Sequence, residues 1–243
     1  IQGLTITNGY VYEKLGGGIY ISDCRATITN CLLIRNRVTS AADLGNGYGG
    51  ANLAVIGGSL TLVDSEIANG TCGDGPGNAK RGIGIHLSGS SAMLRNTTIR
   101  NNTWGSSNPS YGSGLYMLGG RCVADGCTFF ANAFTGVGAN QGGALFAQDV
   151  DTLILTNSTF TSNTLAGGNG MALSLSGAGR FVVTDSRIVA NRPGMADAIY
   201  INPSGSIELR NTVIAAGNQR GIIRTGIGGT VGLTNCLIYG MAS

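Results

Sequence analysis

The sequence predicts an all-β protein, a parallel β-solenoid whose turns stack in register. Three observations carry that reading. One phrase recurs eight times: an alternating apolar run, an Asn or Asp, a small hydroxyl or thiol, then a further apolar residue. Aligned on it, the copies give columns of apolar residues separated by polar columns at period two, the mark of half-buried strands. Glycine is abundant, 42 of 243 residues against 4 prolines, without the strict triplet of collagen.

The copies read TITNCLL (27–33), TLVDSEI (61–67), MLRNTTI (93–99), VADGCTF (123–129), ILTNSTF (154–160), VVTDSRI (182–188), ELRNTVI (208–214) and GLTNCLI (232–238). They start 34, 32, 30, 31, 28, 26 and 24 residues apart, so the period shortens toward the C-terminus. The apolar run predicts a first strand and the residues after the bend a second. A Gly-led phrase between copies predicts a third: GGGIYI (16–21), GIGIHL (82–87), GSGLYM (112–117), GGALFA (142–147) and ADAIYI (196–201). The variable glycine-rich stretches before it read as loops. One inward column runs Ile28, Leu62, Leu94, Ala124, Leu155, Val183, Leu209, Leu233; another runs Leu33, Ile67, Ile99, Phe129, Phe160, Ile188, Ile214, Ile238. A third begins Ala26, Leu60, Ala92, Cys122. No stretch keeps an apolar face at a 3.6 period. With turns rising ~4.8 Å each, about eight turns of three strands span roughly 40 Å.

The Asn/Asp column (Asn30, Asp64, Asn96, Asn157, Asp185, Asn211, Asn235, with Gly126 once) is expected at the bend between the first two strands. Short polar side chains there tolerate left-handed geometry and bond to neighbouring turns. A second column, Asn36, Asn102, Asn132, Asn163 and Asn191 with Gly70 and Gly217, marks the next bend. Residues 1–243 read as a single solenoid segment. Neither end reads as a cap, which points to a piece of a longer chain or to ends that meet other subunits.

Composition excludes several classes. Charged residues are 11% and apolar residues 42%, the reverse of a disordered chain. No apolar run approaches the ~18 residues of a membrane-spanning helix. The 15 cationic residues are scattered, with no basic cluster for nucleic acid, and one histidine excludes a multi-histidine metal site.

The GGGIYI and TNS/C-x-I/F phrases resemble the right-handed parallel β-helix repeats of chlamydial polymorphic outer-membrane proteins and related bacterial and algal surface proteins. That fold is shared with pectate lyases and polygalacturonases. The resemblance covers nearly the whole chain. It implies a secreted or surface-displayed chain, extracellular in location, with a structural or adhesive role. The family's usual GGAI and FxxN phrases are blurred, as in GIIR (221–224) and ADAI (196–199). The barrel that often follows such repeats is absent from this segment.

Six cysteines raise the question of disulfides. Cys31, Cys127 and Cys236 share the hydroxyl/thiol column with Ser65, Thr97, Ser158, Ser186 and Thr212 and are expected as buried, unbridged ladder residues. Cys122 falls in an inward column. Cys24 and Cys72 lie in bends or loops, and a bridge involving Cys72 stays open.

No catalytic residues and no cofactor are assigned. The calcium-binding and His-Gly phrases of pectinolytic enzymes on this fold do not occur. Asp149 and Asp151 form the nearest carboxylate pair, a weak candidate for a cation, but they sit where a turn bends. Arg95 and Asp125, neighbours in one outward column, are expected to form an ion pair. His86, the single histidine, is expected exposed on a strand. The outward positions of the Gly-led strand read Tyr20, Asn52, His86, Tyr116, Phe146, Ser174, Tyr200 and Arg224, an aromatic-rich stripe. It serves either cross-strand packing or as a platform for a sugar or partner. The outward column of the first strand carries Met93, Val123, Ile154 and Val182, a contiguous apolar patch. Either the loops 38–48, 71–80 and 104–111 fold over it or another chain or domain does. Asn69 and Asn101 are glycosylation candidates if the host is eukaryotic. The functional expectation is a non-enzymatic structural or adhesive module packed against other chains or itself. A carbohydrate-active or glycan-binding β-helix is the alternative.

Overall fold

The computed structural model describes residues 1–39, 48–73, 79–105, 109–191, 196–216, 220–225 and 228–239. These form a parallel β-solenoid, and every strand pair is parallel. The chain circulates past five walls. Wall one begins at Arg25–Thr29 and ends at Val231–Thr234; wall two begins at Thr5–Thr7 and ends at Leu237–Tyr239. Wall three runs from Tyr10–Tyr12 to Thr164–Leu165, wall four from Tyr48–Gly49 to Gly168–Asn169, and wall five from Ile19–Ser22 to Ile222–Arg224.

Two expectations need correction. The early turns carry five strands rather than three, because walls three and four are built of strands too short to show alternation in a sequence. Among the described residues wall three has six strands, so the complete turns number about six, against eight copies of the phrase. Among the described residues, the last strands of walls three and four are Thr164–Leu165 and Gly168–Asn169.

Register follows the columns. Ile28, Leu62, Leu94, Ala124, Leu155, Val183 and Leu209 face each other across wall one and are buried. Phe129 and Phe160 stack in wall two with ring centroids 4.5 Å apart and planes 5° from parallel. The main core lies between walls one, two and five, and a second core of Val38, Cys72, Ile83, Trp104, Phe134, Leu165 and Met171 lies between walls three and four.

The corners explain the polar columns. Asn30, Asp64, Asn96, Asn157, Asp185, Asn211 and Asn235 all hold φ between 47° and 52°, the left-handed region that Asn and Asp enter most readily. Their side chains bond along the stack, as in Asn96 Nδ2 to Asp64 Oδ1 at 3.1 Å and Asn235 Nδ2 to Asn211 Oδ1 at 2.8 Å. Where Gly126 interrupts the column, Asn157 donates instead to Asp125 Oδ1 at 3.0 Å.

The second asparagine column is buried and divides the two cores. Asn102 donates to Asn132 Oδ1 at 3.0 Å, Asn132 to Asn163 Oδ1 at 3.1 Å, and Asn163 to Asn191 Oδ1 at 2.9 Å. Gly70 should break this ladder. Asn52 fills the gap from the opposite side: Asn36 Nδ2 donates to its Oδ1 at 2.9 Å, and its own Nδ2 donates to Asn102 Oδ1 at 3.0 Å. Buried polar groups need such partners, and the ladder supplies them turn by turn.

Candidate functional site

The outward column of wall five reads Tyr20, Ala54, His86, Tyr116, Phe146, Ser174, Tyr200 and Ile223. Two expected members are misplaced. Asn52 belongs to the buried ladder, and Arg224 pairs with Ile201, on the row beside the stripe. Aligning the copies on the left-handed glycines Gly16, Gly50 and Gly82 would have placed Ala54 correctly, four residues on in each case.

Nor is the stripe an open platform. Tyr20 is 54% exposed, but Tyr116 and Phe146 are buried, and His86 is only 4% exposed rather than a surface residue. Side chains from wall four lie across it. The Arg81 guanidinium sits 5.5 Å from the centre of the Tyr116 ring, the Tyr111 ring is 4.9 Å from Phe146, and Ser174 Oγ donates to Gln141 Oε1 at 3.2 Å. Tyr116 stacks on Phe146 at 5.6 Å, and Tyr200 pairs its hydroxyl with Thr225 at 3.1 Å. Packing therefore accounts for the middle of the stripe. Alternation gave the right strand face; only the tertiary fold shows the cover.

Burial pushes the His86 imidazole down to about 4, with the Arg81 charge acting the same way and a hydrogen bond to the Arg81 backbone opposing. The ring is neutral at physiological pH. Its Nδ1 lies 3.3 Å from the Arg81 carbonyl oxygen, which can only accept, so Nδ1 carries the proton and Nε2 keeps a lone pair. Burial likewise raises the Tyr116 hydroxyl.

The apolar column of wall one is in register as expected: Met93, Val123, Ile154, Val182. Met93 is 46% exposed, Val123 and Ile154 are half-buried, and Val182 is buried beside the ion pairs of Glu208 with Arg180 and Arg210. The patch is thus Met93 to Ile154, shorter by one residue. A shallow hollow of about 420 Å³ lies on it, lined by Ser59, Thr61, Ser91, Met93, Arg121 and Val123 among others. Of the segments expected to cover it, 40–47, 74–78 and 106–108 lie outside the described residues, and the described remainder runs chiefly in strands of walls three and four.

Arg95 and Asp125 are register neighbours, yet no ion pair within 4 Å joins them; Asp125 Oδ1 accepts from Asn157 Nδ2 at 3.0 Å. Asp149 and Asp151 are both exposed at the corner between walls five and one, flanking buried Val150, with Asp149 at φ 49°. Among the described residues no group of three or more His, Cys, Asp or Glu side chains could hold a metal. Asn69 and Asn101 are half-buried residues just after the strands Glu66–Ala68 and Thr98–Arg100, with φ 54° and 52°.

All six cysteines are free thiols. Cys31 and Cys127 occupy the hydroxyl/thiol ladder, their backbone N–H groups donating to Ser65 Oγ at 3.1 Å and Ser158 Oγ at 3.2 Å. Burial pushes Cys122 and Cys72 up to about 12 and Cys127 to about 11, so these thiols are inert packing groups at neutral pH.

The family model described as a right handed beta helix region matches residues 1–197. The chain belongs to that family. No curated protein and no solved structure matches it. For this β-helix the family membership fixes the fold and leaves function to the faces just described.

Proposed function

We propose that the chain is a non-enzymatic structural or adhesive solenoid module, displayed at a cell surface or outside the cell, that packs into a larger assembly through the outer face of wall one. One observation carries the reading: the Met93–Val123–Ile154 column stands open on a parallel sheet, flanked by the small residues Ser59, Thr61 and Ser91. Small neighbours let a second surface approach the apolar row closely, and a contiguous apolar strip is what an interface core requires. The likeness of the repeat phrases to surface-displayed β-helix proteins supports the extracellular placement. Sedimentation of the purified chain across the micromolar range tests the reading. Association that is lost in a Met93→Glu/Ile154→Glu double variant of unchanged thermal stability supports it. A chain that stays monomeric throughout, or a variant that associates as the parent does, refutes packing through this face.

A further inference from the structure

The outer face of wall one is complementary to itself. Each five-residue strand of this wall turns its first, third and fifth side chains outward, and the register stacks them into a centre row and two flanking rows. The centre row is the apolar strip Met93, Val123 and Ile154, prolonged by Thr61 and Thr27 at one end and Val182 at the other. The flanks pair a long cation with a short or acidic residue on the same strand. Arg121 stands opposite Asp125 and Arg180 opposite Thr184, and the order is reversed for Ser91 with Arg95 and Ser206 with Arg210. Among the described residues no strand of this wall carries an arginine on both flanks.

We propose that the occupant of this face is a second copy of the chain, lying parallel and side by side, the two copies related by a two-fold axis along the stack. The inference rests on the wall-one reading above and names its partner. Rotation about that axis reverses strand direction and keeps every rung at its own height. Each rung therefore faces the same rung of the other copy, centre on centre and each flank on the opposite flank. Met93, Val123 and Ile154 meet their counterparts and form the apolar core of the contact. Arg121 of each copy meets Asp125 of the other, giving two ion pairs around the central valines. Asp125 already accepts from Asn157 through Oδ1 at 3.0 Å, which leaves Oδ2 for the guanidinium. Arg95 falls on Ser91, Arg180 on Thr184 and Arg210 on Ser206, so long side chains meet short ones. An antiparallel pair, with its two-fold axis along the strands and centred on Val123, sets Arg121 against Arg121 and Asp125 against Asp125, which like-charge repulsion disfavours. Beyond Val182 the centre row holds Glu208, whose carboxylate is already paired with Arg180 and Arg210 of its own chain. From Thr27 to Val182 the face is about 24 Å high and about 16 Å wide, a small interface, so association belongs in the micromolar range.

Sedimentation velocity of charge-reversed variants tests it. Arg121→Asp leaves a carboxylate on both flanks of its rung, and Asp125→Arg leaves a guanidinium on both. Each alone should associate about tenfold more weakly than the parent, or worse. An equimolar mixture of the two should regain the parent's affinity, because each variant then meets the opposite charge. Asp125→Asn keeps an acceptor for Asn157 and removes only the charge. It should weaken association with the thermal midpoint unchanged, which separates the interface effect from any effect of Asp125→Arg on folding. Any of these single variants associating as the parent does, or a mixture no stronger than its components, overturns the proposal. Wall-one packing still stands in that case if Met93→Glu/Ile154→Glu abolishes association. Arg121→Asp binding the parent more tightly than the parent binds itself reveals the antiparallel pair and also overturns it. A parent chain that stays monomeric overturns both readings.

Discussion

Replacing Asn52 with Ala should unzip the buried asparagine ladder at Gly70, where the repeat does not supply its own rung. The side chain accepts from Asn36 Nδ2 at 2.9 Å and donates to Asn102 Oδ1 at 3.0 Å and the Ala68 carbonyl at 3.2 Å. At about 1 kcal/mol for each lost bond, with a further penalty for a buried group left unpaired, the change costs about 3–4 kcal/mol. A solenoid distributes stability between nearest neighbours, so the loss stays local. Amide hydrogen exchange reads it directly. The Thr71 N–H bonds to the Asn36 carbonyl at 3.2 Å and the Thr103 N–H to the Gly70 carbonyl at 3.2 Å, and both should lose about two to three orders of magnitude of protection. The Thr164 N–H, bonded to the Asn132 carbonyl at 3.0 Å farther along the ladder, should keep its protection. A loss below about tenfold at Thr71, or an equal loss at Thr164, would refute the argument that Asn52 is a local substitute rung.

Two further outcomes follow from the same geometry. The His86 pKa falls from 6.5 to about 4 on folding, so the unfolded chain binds more protons between these values and stability falls as pH drops through that window. The loss is about 3 kcal/mol at about 1.4 kcal/mol per unit, and equilibrium unfolding of wild type against His86→Gln at pH 7 and pH 4 should show it only in the wild type. At the outer bend, Asp185 sits at φ 50°. Asp185→Val should cost about 1–2 kcal/mol in denaturant unfolding through left-handed strain, while Asp185→Gly should lose much less.

Most of the architecture is legible in the sequence because stacking repeats one environment turn after turn. Leu62, Leu94 and Leu155 recur in one column since each occupies the same buried place, and the Asn/Asp column recurs because each corner demands the same left-handed residue. The two- and three-residue strands of walls three and four left no periodic trace. Asn52 falls outside the outward column because this turn aligns on the left-handed Gly50, which puts Ala54 in the outward place and leaves Asn52 to fill the ladder position that Gly70 vacates. The cover over His86, Tyr116 and Phe146 comes from Arg81, Tyr111 and Gln141, whose columns carry no common chemistry.

Spin labels along the outer column of wall one test the stack most directly. Thr27, Ile154 and Glu208 lie on one vertical row, with Ile154 four rungs and Glu208 six rungs from Thr27. Pulsed dipolar spectroscopy on the Thr27/Ile154 and Thr27/Glu208 label pairs should give backbone separations of about 19 Å and about 29 Å, a constant ~4.8 Å per rung despite the shortening repeat. A Thr27/Ile154 separation well away from about 19 Å, or a Thr27/Glu208 separation that does not exceed it by about two rungs, would contradict it.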